Sequence, residues 1–176
     1  MGKYVFESDL STKGIQNLKR QLLEYKNQTL PNKIDKFLDR LAQEGYEIAN
    51  INKGQSPLGK YVHISIETSN LERKILAVGE IKYSDGYAPF STLMAIEFGA
   101  GVTYNPDPNP NQDKFGFGVG TFPNQTHAHD VDGWYFWDEN KQKWIHSFGV
   151  KATMPMYAAE QAIRNNVRRI AREVFQ

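Results

Sequence analysis

One short segment holds the side chains best suited to metal chemistry: His127-Ala128-His129-Asp130-Val131-Asp132. On an extended chain, residues two apart point to the same side. His127 and His129 would therefore present two imidazoles together, with the carboxylates of Asp130 and Asp132 close by. A small metal-dependent enzyme would draw its ligands or its base from these four residues. No third distant ligand announces itself, and His63 falls on a different expected strand, so the favoured reading is a polar loop.

Other catalytic patterns are weaker still. The run FGFGVG, with Gly116, Gly118 and Gly120, superficially resembles a phosphate cradle, but it lacks the G-x-G-x-x-G spacing and is followed by Pro123 instead of a helix. There is no cysteine, hence no thiolate nucleophile, disulfide or thiolate-metal site, and no G-x-S-x-G elbow. Glu72 and Glu80 read as solvated strand residues. The expectation is a protein that is not an enzyme and carries no cofactor.

Two further groups bear on binding. Arg164, Arg168 and Arg172 lie four apart on the expected last helix, with Arg169 alongside, a stripe that would suit DNA or an acidic partner. Glu160 and Glu173 stand four residues from Arg164 and Arg169, the spacing of ordinary exposed ion pairs, which is the plainer reading. Trp134, Tyr135, Phe136, Trp137 and Trp144 form an aromatic cluster. Alternate strand residues point to opposite faces, so four consecutive aromatics do not all enter one small core, and some are expected at an interface. A binding module for a peptide or sugar is a further option.

The elements that must position these groups follow from periodicity. Ile15, Leu18, Leu22 and Tyr25 share a helical face between Ser11 and Lys26, and Ile34, Phe37, Leu38 and Leu41 share another after Thr29, with Pro31 in a first turn and Gly45 as a stop. The pair predicts a helical hairpin over residues 11–45. Strands are expected over Tyr46–Asn52, Lys60–Ser69 and Leu71–Tyr83, the second with Val62, Ile64 and Ile66 on one face and His63, Ser65 and Glu67 on the wet one, the last with apolar residues on both faces and so the most buried. A short helix over Ala88–Phe98 ends in Gly99-Ala100-Gly101. Residues 102–132 show no periodicity and read as a long contact loop. An aromatic hairpin over 133–148 and a helix over 155–175 close the chain. The sum is one α+β domain, helices laid on a largely antiparallel sheet.

Composition fits that description. The 176 residues are 40% hydrophobic with a net charge of +1, which gives no overall electrostatic pull toward nucleic acid or an anionic membrane. MGKYVFESDL lacks the basic flank and apolar run of a signal peptide, the sixth position holds no Ser or Thr as a myristoylation signal would, and no membrane span is evident. The chain is expected in the cytosol, or packaged from it.

The order of segments, with the strings IEFGAG at 96–101, GWYFWDENKQKWIH at 133–146 and GVKATMPMYAAEQAIRNNVRRIAREVF at 149–175, resembles the neck family of long-tailed bacteriophages and prophages, the tail-completion or head-tail joining proteins. That family carries an E-[FY]-G-T-G string after a short helix, an aromatic hairpin after a variable loop, and a G-x-x-A-R-P-F-M-like string at the last helix. Here Ala100 replaces the Thr, the Arg is missing, and Pro155 aligns only after a one-residue shift. The resemblance runs from about residue 11 onward. It implies a structural virion subunit, in the host cytoplasm before assembly, that joins copies of itself into a sixfold ring between tail tube and head connector, without catalysis. It places Glu97, Phe98, Gly99, Gly101, Trp134, Trp137, Trp144 and Pro155 at structural or interface positions. Arg164, Arg168 and Arg172 would then face a partner or passing DNA.

Overall fold

A computed structural model describes residues 5–83, 89–105, 107–123, 125–138 and 141–176. Helix α1 (Thr12–Glu24) opens the fold, with the Ser11 side chain accepting the Gly14 N–H at its start. It passes through a π-helical turn, Tyr25–Thr29, straight into α2 (Leu30–Gly54). The expected helical hairpin over 11–45 is thus one long helix. Pro31 explains the reading and its correction: it has no N–H to return to the carbonyl four residues earlier, and its ring crowds that turn. The chain absorbs this by widening one turn, in which the Leu30 N–H bonds to the Tyr25 carbonyl, instead of by stopping.

Gly45 is likewise no stop. A Cβ there would lie 2.5 Å from Ile75 Cδ1 and 2.7 Å from Ile163 Cδ1, so its role is close packing. Residues 46–52, expected as a strand, continue the helix because Ala42, Gly45 and Ala49 recur at three and four residues and are all buried. Against this stripe lies α4 (Pro155–Phe175), antiparallel to α2: Asn166 and Arg169 reach Glu44, while Asn52 Nδ2 donates to the Thr153 carbonyl at 2.8 Å. The expected bounds of α4 hold.

Strands β1 (Val62–Ser69) and β2 (Glu72–Gly79) form an antiparallel hairpin turned at Asn70, whose φ is 44°. Val62 and Ile64 pack on Ala49, Ile96 and Ala159, and His63 and Glu67 face out, as the alternation predicts. The third expected run is not the most buried, for Val78 is 64% exposed. Nor is there one sheet. Three two-stranded ladders stand separately among the described residues: β1 with β2, the short β3 (Ile81–Lys82) with β4 (Phe90–Ser91), and β5 (Trp134–Asp138) with β6 (Lys143–Ser147). The antiparallel α+β character stands. Helix α3 (Thr92–Phe98) is the short helix; its expected start at Ala88 lies outside the described residues.

Candidate functional site

A buried polar cluster joins the end of α3 to the start of α4. Met154 enters α4 with φ 51° and supplies no side-chain cap, and Pro155 follows at the first turn. The missing cap comes from Glu97. Its Oε2 accepts the Met156 N–H at 2.9 Å, and its Oε1 accepts the Tyr157 N–H at 3.0 Å and Asn109 Nδ2 at 2.9 Å. The carboxyl thus sits on the first free N–H groups of a 21-residue helix, where the helix dipole favours negative charge. Glu97 is buried, and burial pushes its carboxyl above the ordinary range, while the Met156 and Tyr157 N–H groups and the Asn109 amide pull it back.

The glycine turn beside it is clamped by Asn105. Gly99 has φ 76° and a Cβ there would fall 2.0 Å from Asn105 Oδ1; Gly101 has φ 92°. Asn105, only 1% exposed, donates to the Gly101 carbonyl at 2.9 Å and the Val150 carbonyl at 3.1 Å, and accepts the Ala152 N–H at 2.8 Å. Ala100 and Val150 exchange two backbone hydrogen bonds of 2.8 Å. Phe98 meets Phe115 and Phe117 edge-on, with centroids 5.5 and 5.0 Å apart, so the long loop is tied to α3 by aromatic packing and by its two buried asparagines, Asn105 and Asn109.

Among the expected site residues, Glu97, Phe98, Gly99, Gly101 and Pro155 therefore gather at this joint, with Trp134 packed beside Ala95, Ala100 and Phe122. Trp137 and Trp144 do not. They pair across β5 and β6 at 5.7 Å, and with Tyr135, His146 and Phe148 they occupy the hairpin's outer face. There Tyr135 stacks on His146 at 4.3 Å, and Tyr135, Trp144 and Phe148 remain more than half exposed. The side chain of Phe136 lies outside the described residues. Asn105 and Asn109 were not singled out by spacing; a run of Asn and Pro reads as loop, and only the fold shows that two of those amides are buried.

The metal reading gains nothing from the geometry. His127 Nδ1 lies 2.7 Å from Asp130 Oδ2 and its ring stacks on Trp134, while the Asp132 carbonyl meets His146 Nε2 at 2.7 Å. Among the described residues, no group of three or more His, Asp and Glu side chains is placed to hold a metal ion. On α4, Arg164 pairs with Glu160 at 2.6 Å and Arg169 with Glu44 and Glu173, whereas Arg168 and Arg172 are exposed without an ion pair among the described residues. No helix among the described residues is long and apolar enough to cross a membrane. The chain matches no family model, no curated protein and no solved structure.

Proposed function

We propose that this chain is a structural subunit of a phage neck, completing the tail and joining it to the head connector through contacts between copies of itself. The neck-family strings motivate the reading, and the observation that carries it is the aromatic outer face of the β5–β6 hairpin. Tyr135, Trp137 and Trp144 are held in register by backbone pairing, with Phe148 just past the end of β6, yet all four keep exposures from 37% to 60%. Large aromatics set side by side on a paired hairpin and exposed to water are the composition of an interface centre. Glu97 and the glycine turn then act as the scaffold that fixes the hairpin and α4 relative to one another, with no part in catalysis.

Deleting the reading frame from an inducible prophage or phage, with a plasmid copy as control, tests the proposal by negative-stain microscopy. Filled heads beside unattached or over-long tails, rescued by the plasmid, are expected. Whole particles from the deletion would overturn it. In the same background, Trp137→Ser with Trp144→Ser should leave the folded chain intact and yield the deletion's particles.

A further inference from the structure

Two surfaces of opposite charge lie at opposite ends of the molecule. The first is the arm made by α1 and the π turn. No residue of α1 is buried, and Ile15, Leu22 and Leu23 are 53, 46 and 47% exposed. With Leu18 they line an open apolar groove flanked by Lys19 and Lys26. Over residues 12–29 the arm carries Lys13, Lys19, Arg20 and Lys26 against Glu24 alone, a net +3, and the segment laid along it, with Phe6 edge-on to Tyr25 and Asp9 against Gly14, adds Glu7 and Asp9, so that residues 5–29 are net +1. None of those four cations has an ion pair among the described residues. An isolated helix of this length is marginal in water, and residues 5–11 leave its apolar groove open, so the arm gains further order from whatever covers that groove.

The second surface is the loop over 102–132. It carries Asp107, Asp113, Asp130 and Asp132 against Lys114 alone, a net −3 with its histidines neutral, and all four aspartates are exposed. Between them it shows apolar side chains to water, Phe115 at 60% and Val131 at 69% exposure. The loop is anchored at the start of α4, through Asn109 on Glu97 and Asn111 on Glu160. The arm departs from the other end, where Phe37 of α2 meets Phe175 of α4 and Lys33 reaches the Gln176 carbonyl.

Those ends are separated by α4, which at roughly 1.5 Å per residue is about 31 Å long, and the arm runs on past the body for about 27 Å more. An arm therefore cannot fold back onto the loop of its own chain. We infer that α1 of one copy docks on the 102–132 loop of the next, apolar groove against Phe115, Lys19 and Lys26 against Asp107 and Asp113. Such a contact joins unlike surfaces head to tail, the kind that closes into a ring when the rotation between copies permits. Pairing between two identical arms is the poorer solution, since it would bring like charges together. The inference deepens the neck reading, resting on its claim that copies of the chain join one another.

The absence of cysteine makes the contact easy to trap. Leu23→Cys and Phe115→Cys are made in separate full-length chains, and the two are mixed under mild oxidation. A disulfide between unlike chains is expected, in excess over either chain with itself. Lys19→Glu with Lys26→Glu, or Asp107→Lys with Asp113→Lys, should each lower that yield by at least about tenfold while circular dichroism stays unchanged. Mixing the arm-reversed chain with the loop-reversed chain should restore it. No cross-chain disulfide, a Leu23→Cys chain linking chiefly to itself, or a yield indifferent to charge reversal would each overturn the inference. Its failure alongside a deletion that still separates heads from tails leaves the neck reading standing. Success alongside whole particles from the deletion removes the neck reading and keeps the contact.

Discussion

Glu97 and Tyr157 are 60 residues apart in sequence, yet Glu97 Oε1 accepts the Tyr157 N–H at 3.0 Å, so the last residues of α3 cap the first turn of α4. A helix that enters from a left-handed Met154 has no local cap, and without Glu97 its first N–H groups would be left unpaired at the joint. One carboxylate thus fixes the relative placement of α3, the loop through Asn109, and the long terminal helix.

Replacing that carboxylate should be costly and dependent on pH. In Glu97→Gln one oxygen becomes an NH2 group facing a backbone N–H, and a loss of about 1–3 kcal/mol is expected. Burial holds the folded-state pKa of Glu97 above the ordinary carboxylate value. The folded state therefore holds this proton more tightly than the unfolded chain does. The contribution is full below the ordinary carboxylate pKa and is lost as pH rises through the raised value. Urea unfolding of both chains across the mildly acidic range should show the wild type's advantage shrinking as pH rises. An advantage that grows instead would show that the three donors outweigh burial.

Asn105 predicts a second, independent loss. Truncation to Ala leaves the buried Ala152 N–H without its partner, while the Gly101 and Val150 carbonyls keep the Tyr104 and Ala100 N–H groups, which should cost about 1–3 kcal/mol. Asn105 sits against Gly99, so the same change frees the glycine turn. Hydrogen exchange should show lost protection at Ala100 and Val150, whose paired N–H groups close the joint, before any loss in α2. Equal loss in both places would mean that the joint has no separate stability.

Gly45 separates space from conformation. The atoms that a Cβ would meet are the flexible ends of Ile75 and Ile163, so in Gly45→Ala a small shift of those ends offsets the gain in helix propensity of about 1 kcal/mol, and stability should barely change. Gly45→Leu has no such escape and should lose about 2–3 kcal/mol through overpacking between α2 and α4. Thermal unfolding of the pair decides it. A strong loss in the Ala variant would show that the close approach of the helices is rigid.

What the sequence disclosed depended on whether a signal was local. The terminal helix was legible end to end because Pro155 opens it and its apolar residues keep one spacing through Val174. The aromatic hairpin was legible from two dense runs about a polar turn, and β1 from strict alternation. Pro31 and Gly45 misled, since either residue can end a helix or be absorbed within one, and only the π turn ahead of Pro31 and the contact of Gly45 with Ile163 show which applies. The strand expected at 46–52 failed for the same reason: Ala42, Gly45 and Ala49 are a packing stripe of small residues, and small residues carry little weight in a hydrophobic pattern. Glu97 was reached through its string, but its role as a distant cap was not legible, because nothing local to α4 announces that its start lacks one.

The basic side of α4 gives a prediction that bears on the proposed neck role directly. Arg164 is held by Glu160, while Arg168 and Arg172 project from the exposed side with no ion pair among the described residues. Folding therefore leaves two cations free for an outside partner, and in a ring subunit that partner would be DNA in transit. Arg164→Gln, Arg168→Gln and Arg172→Gln together should leave the melting temperature unchanged, because none of the three is packed into the body. If the stripe lines the passage, particles assembled from this variant should join heads to tails normally and then lose DNA, and the loss should steepen as salt is raised. Particles that retain DNA as well as wild type at every salt concentration would assign the stripe to the ordinary solvated face of a helix.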